Sequence, residues 1–158
     1  MIHGDLRKAL IAQVGNELAA HGLYMGISLY FDRQSLKRWG KLFRDQAIEE
    51  AQHAQKIMDF LTDNEVEFDI PALKAVSTRF PSGLAAAQRA LQSEQDVASQ
   101  FDRMAETALK AGDHRSHQFL QWFIEEQVEE EAKLQAIVDL IESGINLFQA
   151  ESLLDNFE

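Results

Sequence analysis

Proline occurs only twice in 158 residues, and both copies, Pro71 and Pro81, fall in one stretch, EVEFDIPALKAVSTRFPSG at 65–83. Proline breaks helix interiors, so confining it to one link leaves long helices free to form on either side. Apolar residues recurring at three- and four-residue steps predict helices at 5–34, 36–64, 83–111 and 113–143, with a short fifth at 145–156 after Gly144. The expected fold class is all-α, a four-helix bundle plus a short C-terminal helix, in a single domain spanning 1–158. Links of a few residues join the first pair of long helices and the last pair, which makes each pair an antiparallel hairpin. The middle link has about 18 residues, against the roughly 2–8 usual between bundle neighbours. At ~3.3 Å per residue it reaches about 60 Å, more than the roughly 40 Å of such a helix, so it is expected to cross from one end of the bundle to the other.

Each long helix carries polar residues inside its apolar stripe. In the second, AIEEAQHAQKIMDFL at 47–61 continues a stripe of Phe43, Ala47, Glu50, His53 or Ala54, Ile57 and Leu61. Residues three apart on a helix have Cβ atoms about 5–6 Å apart, so the Glu50 carboxylate and the His53 imidazole can converge on one ion. Taken alone, the pair reads equally well as a core histidine satisfied by one glutamate. The first stripe runs Leu6, Leu10, Val14, Glu17, Ala20, Tyr24, Ile27 and Phe31; the third runs Leu84, Leu91, Glu94, Ala98, Phe101 and Ala105. The fourth runs Leu120, Phe123, Gln127, Glu130, Leu134, Ile137 and Ile141.

These interruptions share one spacing. Glu17 and Glu50 are 33 residues apart, as are Glu94 and Gln127, and a shift of 77 maps Glu17, Glu50 and His53 onto Glu94, Gln127 and Glu130. The two midpoints fall in the expected turns, FDRQS at 31–35 and KAGD at 110–113, so each hairpin brings its polar residues level across the pair. In a glutamate-rich chain a shared offset can arise by chance, but solvated glutamates would not select the apolar stripe. Burying unpaired carboxylates costs several kcal/mol each, and no lysine or arginine lies on these stripes beside them. A divalent cation would neutralise them.

Composition narrows the chemistry. Acidic residues outnumber basic ones 26 to 15, for a net charge of -11, which disfavours nucleic acid and anionic membranes as partners and favours cations. Cysteine is absent, so thiolate metal sites, disulfides and thiol catalysis are excluded, and ligands must be carboxylate, imidazole or amide. No apolar run approaches the ~20 residues of a membrane span, and Asp5 and Glu17 interrupt any leader-like start. A cytoplasmic location is expected.

The motifs NEL at 16–18, EEAQH at 49–53, Glu94 in QSEQ, and above all LQWFIEEQVEEE at 120–131 resemble those of the non-haem bacterial ferritins, over essentially the whole chain. Ferritin-like di-iron bundles draw a Glu from each of two helices and Glu-x-x-His from the other two. The resemblance implies that Glu17, Glu50 and His53 hold one iron, that Glu50 also bridges to a second iron held by Glu94 and Glu130, and that Gln127 is a weak or supporting ligand. Tyr24 and Trp122 match aromatic positions beside such centres. Where a haem-carrying relative would have a second Glu-x-x-His, this chain has Gln127-x-x-Glu130, and the haem-binding methionine would fall near Gln52, so no haem is expected. DNA-protecting mini-ferritins use first-helix histidines, for which only His21 is available, and rubrerythrin-like peroxidases usually add a cysteine-rich iron domain that this chain lacks.

By the same resemblance the expected activity is ferroxidation, the oxidation of Fe(II) by O2 or H2O2 at an intrasubunit di-iron centre. Fe(III) would be stored as a mineral inside a hollow homo-oligomeric shell of 24 subunits. Glu49, Glu126 and Glu129, one position off the di-iron ligands, are candidates for a third iron site, their alternative being an ordinary solvated helix face. Asp113, His114 and His117 at the start of the fourth helix could make a weak cation path. Two rivals stand beside this reading: a small rubrerythrin-like di-iron oxidase or peroxidase that stores nothing, and a structural bundle holding another metal or none.

Overall fold

The computed structural model describes residues 1–2 and 4–158. Four long helices, α1 (Gly4–Arg33), α2 (Lys37–Asp63), α3 (Gly83–Lys110) and α4 (His114–Glu142), are followed by a short α5 (Leu147–Ala150) and a 3-10 segment, Glu151–Phe157. No strand occurs among the described residues. The long helices start and stop within a residue or so of the boundaries expected from periodicity, and side-chain caps fix the starts of two of them. Ser82 accepts a hydrogen bond from the Ala85 amide at 3.1 Å to cap α3, and Asp113 accepts one from Ser116 at 3.0 Å to cap α4. Gly112 takes the left-handed backbone, φ 67°, that the α3–α4 turn requires. The tail departs from the single fifth helix expected over 145–156: one α-helical turn passes into 3-10 geometry. There the Trp39 indole donates to the Leu147 carbonyl at 2.9 Å and Arg38 pairs with Asp155, tying the segment back onto α2.

The long link is a crossover, and its course can be followed along α1. Val66 packs into the apolar cluster that contains Ile2 and Leu6, at the N-terminal end of that helix. Further on, Pro71 lies over Gly15, Val76 over Gly22 and Ser77 over Gly26. A β-carbon at Gly15 would come within 2.9 Å of Pro71, and one at Gly26 would overlap the Ser77 carbonyl oxygen. Arg33 then donates to Thr78, Tyr30 meets Phe80 edge-on at 5.8 Å, and Gly83 reaches Phe31 at the far end. Helix α3 therefore starts where α1 ends, so α3 runs antiparallel to α1 and parallel to α2.

Two apolar clusters fill the ends of the bundle. One gathers Tyr24, Phe31, Trp39 and Phe43 with Ala86, Ala87, Ala90 and Leu134; the other gathers Leu6, Leu10, Ile57, Phe101, Leu120 and Phe123. On α3 the buried face differs from the expected stripe, since Leu84, Leu91 and Ala98 are only half-buried while Ala86, Ala87 and Ala90 are fully enclosed. Large aromatics projecting from α1 and α2 occupy the space opposite, and small side chains are what a close-packed interior accepts there. Among the described residues no helix is long and apolar enough to cross a membrane.

Candidate metal centre

Between the two apolar clusters lies a layer of buried polar side chains contributed by all four long helices. Glu17, Glu50, His53, Glu94, Gln127 and Glu130 are each at most 4 % exposed. Two groups of potential ligands, Glu17 with Glu50 and His53, and Glu50 with Glu94 and Glu130, each offer three donor atoms within 4.8 Å of one another. Glu50 belongs to both. The geometry thus describes two adjoining cation positions joined by one carboxylate, the second flanked by Gln127, whose amide donates to Glu94 Oε2 at 2.9 Å.

Three buried atoms in the first group, Glu17 Oε2, Glu50 Oε2 and His53 Nδ1, have no hydrogen-bond partner. His53 Nδ1 lies 3.3 Å from Glu50 Oε2 and 3.8 Å from Glu17 Oε2, close enough for attraction but without hydrogen-bond geometry at either oxygen. Buried polar atoms left unpaired cost stability, and three of them aimed at one point suit a cation lying between. Carboxylate oxygen with one imidazole is a donor set for a first-row divalent ion such as iron.

The electrostatics are those of an acidic site in want of positive charge. Burial and the neighbouring Glu50 push Glu94 up to about 8, against the pull of hydrogen bonds from Tyr24 and Gln127. Burial together with the Glu94 and Glu49 carboxylates pushes Glu130 up to about 9, and burial likewise raises Glu50. Burial opposes a charge on His53, but the Glu17 and Glu50 carboxylates outweigh it and push the imidazole up to about 11. Protons thus take the place that cations would fill. The Tyr24 phenol, itself raised well above its ordinary range by burial and Glu94, donates to Glu94 Oε1 at 2.5 Å.

A third acidic group brings Glu49 and Glu126, both half-buried, together with Glu130. Glu129 is exposed and belongs to none of the three groups. Glu126 Oε1 stands 3.9 Å from His53 Nε2, so the imidazole touches acids on both sides. Trp122 meets His53 edge-on at 5.5 Å, with the Lys56 ammonium 4.1 Å above its ring. His21 is turned elsewhere, its Nδ1 2.6 Å from the Ala47 carbonyl. Asp113 serves as the cap of α4, and His117 contacts Gln121 one turn further on.

Sequence reasoning passed over three residues around this layer. Gln13, 1 % exposed, donates to Glu17 Oε1 at 3.2 Å, and Gln46, 2 % exposed, donates to both Glu130 and Glu50. Lys133 in turn donates to Gln46 Oε1 at 3.0 Å. The available signal was position: each glutamine lies four residues before a candidate ligand, Glu17 or Glu50, on the same stripe.

Fold and site together define a class, the four-helix bundles that bind metal between their helices through buried carboxylates. A family model described as a ferritin-like domain matches residues 7–143, and the chain belongs to the ferritin family, whose class of function is iron storage. It is 37% identical over 143 residues to Ferritin BfrB of Mycolicibacterium smegmatis, covering 90% of this chain and 79% of that protein. It is 34% identical over 141 residues to a bacterial non-heme ferritin of Staphylococcus haemolyticus, covering 89% and 85%. Among solved structures, an open pore ferritin from the archaeon Archaeoglobus fulgidus superposes with a TM-score of 0.92 at 30% identity, over 99% of this chain and 98% of that one.

Proposed function

We propose that this single-domain chain is a ferroxidase subunit of an iron-storing shell. Two Fe(II) ions bind as substrates at the buried centre, one held by Glu17, Glu50 and His53 and the other by Glu50, Glu94 and Glu130, with Gln127 in support. The observation that carries this reading is that one carboxylate, Glu50, belongs to both ligand groups. Two irons that share a ligand can each give one electron to the same oxidant. With O2 the pair and two protons yield two Fe(III) and H2O2; with H2O2 the pair and two protons yield two Fe(III) and two waters. Single-electron leakage is avoided in either case.

The protein residues supply position and proton balance. Glu94 and Glu130 are held protonated near neutral pH by burial and neighbouring carboxylates, and His53 by Glu17 and Glu50 against the effect of its own burial; these protons are released as cations enter. Glu49 and Glu126, linked to the pair through Glu130 and flanked along α4 by Glu129, form a third and more accessible position on the way out. Fe(III) then passes into the cavity of a homo-oligomer, proposed as a shell of 24 subunits, and is kept there as mineral. Size-exclusion chromatography with an iron count after aerobic Fe(II) loading tests the proposal. A large shell carrying far more iron than its centres can hold supports it, whereas a dimer that oxidises Fe(II) but retains only the iron at its centres would make the chain a rubrerythrin-like oxidase instead.

A further inference from the structure

Lys133 is the basic residue nearest the centre along α4, yet none of the ion pairs formed by the described residues involves it. Its ammonium donates instead to Gln46 Oε1 at 3.0 Å. From the other end of the same amide, Gln46 Nε2 donates to Glu130 Oε2 at 2.6 Å and to Glu50 Oε1 at 3.3 Å. An ammonium has only donors, so Lys133 by itself holds the amide oxygen on its side and turns Nε2 toward the two carboxyl groups, each of which keeps an acceptor oxygen whether or not it carries a proton. Gln46 is 2 % exposed and Lys133 half-buried, which leaves the group little room to turn.

From this geometry we infer that Gln46, its amide locked by Lys133, is a positioning residue that sets Glu130 and Glu50 for the second metal ion. The inference rests on the two-iron reading of the centre. A lysine set directly on Glu130 would neutralise a ligand and compete with the incoming cation. Placed one step back behind a neutral amide, the same lysine fixes the carboxylate while leaving its charge for the metal. Lys133 therefore acts only through Gln46, whose shorter bond is to Glu130 and whose longer one is to the shared Glu50, while Glu17 and His53 of the first position accept nothing from it.

Anaerobic titration of the assembled protein with Co(II), followed by calorimetry and by the visible absorbance of the bound ion, tests this directly. Gln46→Leu should leave the first Co(II) within about twofold of wild type and weaken the second roughly tenfold or more, as loss of an outer hydrogen bond to a ligand does elsewhere. Lys133→Met should weaken the second ion in the same direction, Lys133→Arg should restore it, and adding Lys133→Met to Gln46→Leu should weaken it no further. The lysine variants sit at a half-buried position, so they report even where Gln46→Leu assembles poorly. Wild-type-like binding of the second ion in Lys133→Met and Gln46→Leu, or equal weakening of both ions, would overturn the inference while leaving the two-metal centre standing. A wild-type protein that binds no tight pair would remove both.

Discussion

The phenol of Tyr24 on α1 donates to Oε1 of Glu94 on α3 across 2.5 Å, a bond between two fully buried groups that are 70 residues apart in the chain. It joins the two helical hairpins at the level of the metal centre. The bond also favours the ionised carboxylate, since it pulls Glu94 down against a burial effect that raises it. In Tyr24→Phe, Glu94 should hold its proton to still higher pH. Stopped-flow oxidation of Fe(II) is expected to slow several-fold at pH 7, with the rising limb of its pH profile displaced to the alkaline side. An unshifted profile would show that the phenol leaves Glu94 unaffected.

Because Glu50 belongs to both ligand groups, on the two-iron reading Glu50→Ala should slow the fast oxidation phase by roughly 100-fold or more, the scale expected when reacting groups lose their placement. His53→Ala should slow it less, since His53 belongs to only one of the two groups. Glu50→Gln should also lose the fast phase, yet the iron-free variant should melt at higher temperature than wild type at pH 8, because burial disfavours the Glu50 carboxylate and the amide carries no charge. Differential scanning calorimetry of the two metal-free proteins checks this sign.

The protons held by the buried layer fix how the stability of the metal-free chain depends on pH. Glu94 and Glu130 titrate near 8 and 9 in the folded chain against 4.5 when unfolded, so the folded state binds more protons and stability falls as pH rises from about 5 to 9. His53, near 11 folded and 6.5 unfolded, contributes stability that is fully present below 6.5 and is lost as pH climbs toward 11. The metal-free protein should therefore melt lower at pH 9 than at pH 6, and saturating Co(II) should narrow the gap. Calorimetry in buffers of different ionisation enthalpy should show proton release on Co(II) binding at pH 7; release of none would contradict these protonation states.

Replacing Glu49, Glu126 and Glu129 together by alanine should leave the first rapid oxidation of the pair in place and change the number of irons oxidised per O2. Oxygen-electrode stoichiometry reads that number. With Glu129 exposed and outside the acidic groups, Glu129→Ala alone should have the smallest effect of the three. Loss of the fast phase in the triple variant would mean that these acids belong to the pair itself.

The bundle and the core of its centre were legible because both rest on helix periodicity. Glu17, Glu50, His53, Glu94, Gln127 and Glu130 all interrupt apolar stripes, and all are buried in one layer. What escaped has physical reasons as well. Gln46 and Gln13 are neutral, so a search for buried charge does not flag them, and the Lys133 side chain reaches its target through three-dimensional length that residue spacing does not display. The alanine face of α3 depends on aromatics arriving from α1 and α2, which no single-helix pattern contains. Loop length implied the crossover, but its seat along Gly15, Gly22 and Gly26 is a stripe of small residues whose meaning appears only once Pro71, Val76 and Ser77 lie on it.

Anomalous diffraction from a crystal soaked anaerobically in Fe(II) measures the central claim most directly. The expected map has two iron peaks in each subunit, about 3.5–4 Å apart, with the Glu50 carboxylate bridging them and His53 bound to only one. A single iron at the centre, or a pair in which Glu50 touches only one metal, would contradict it.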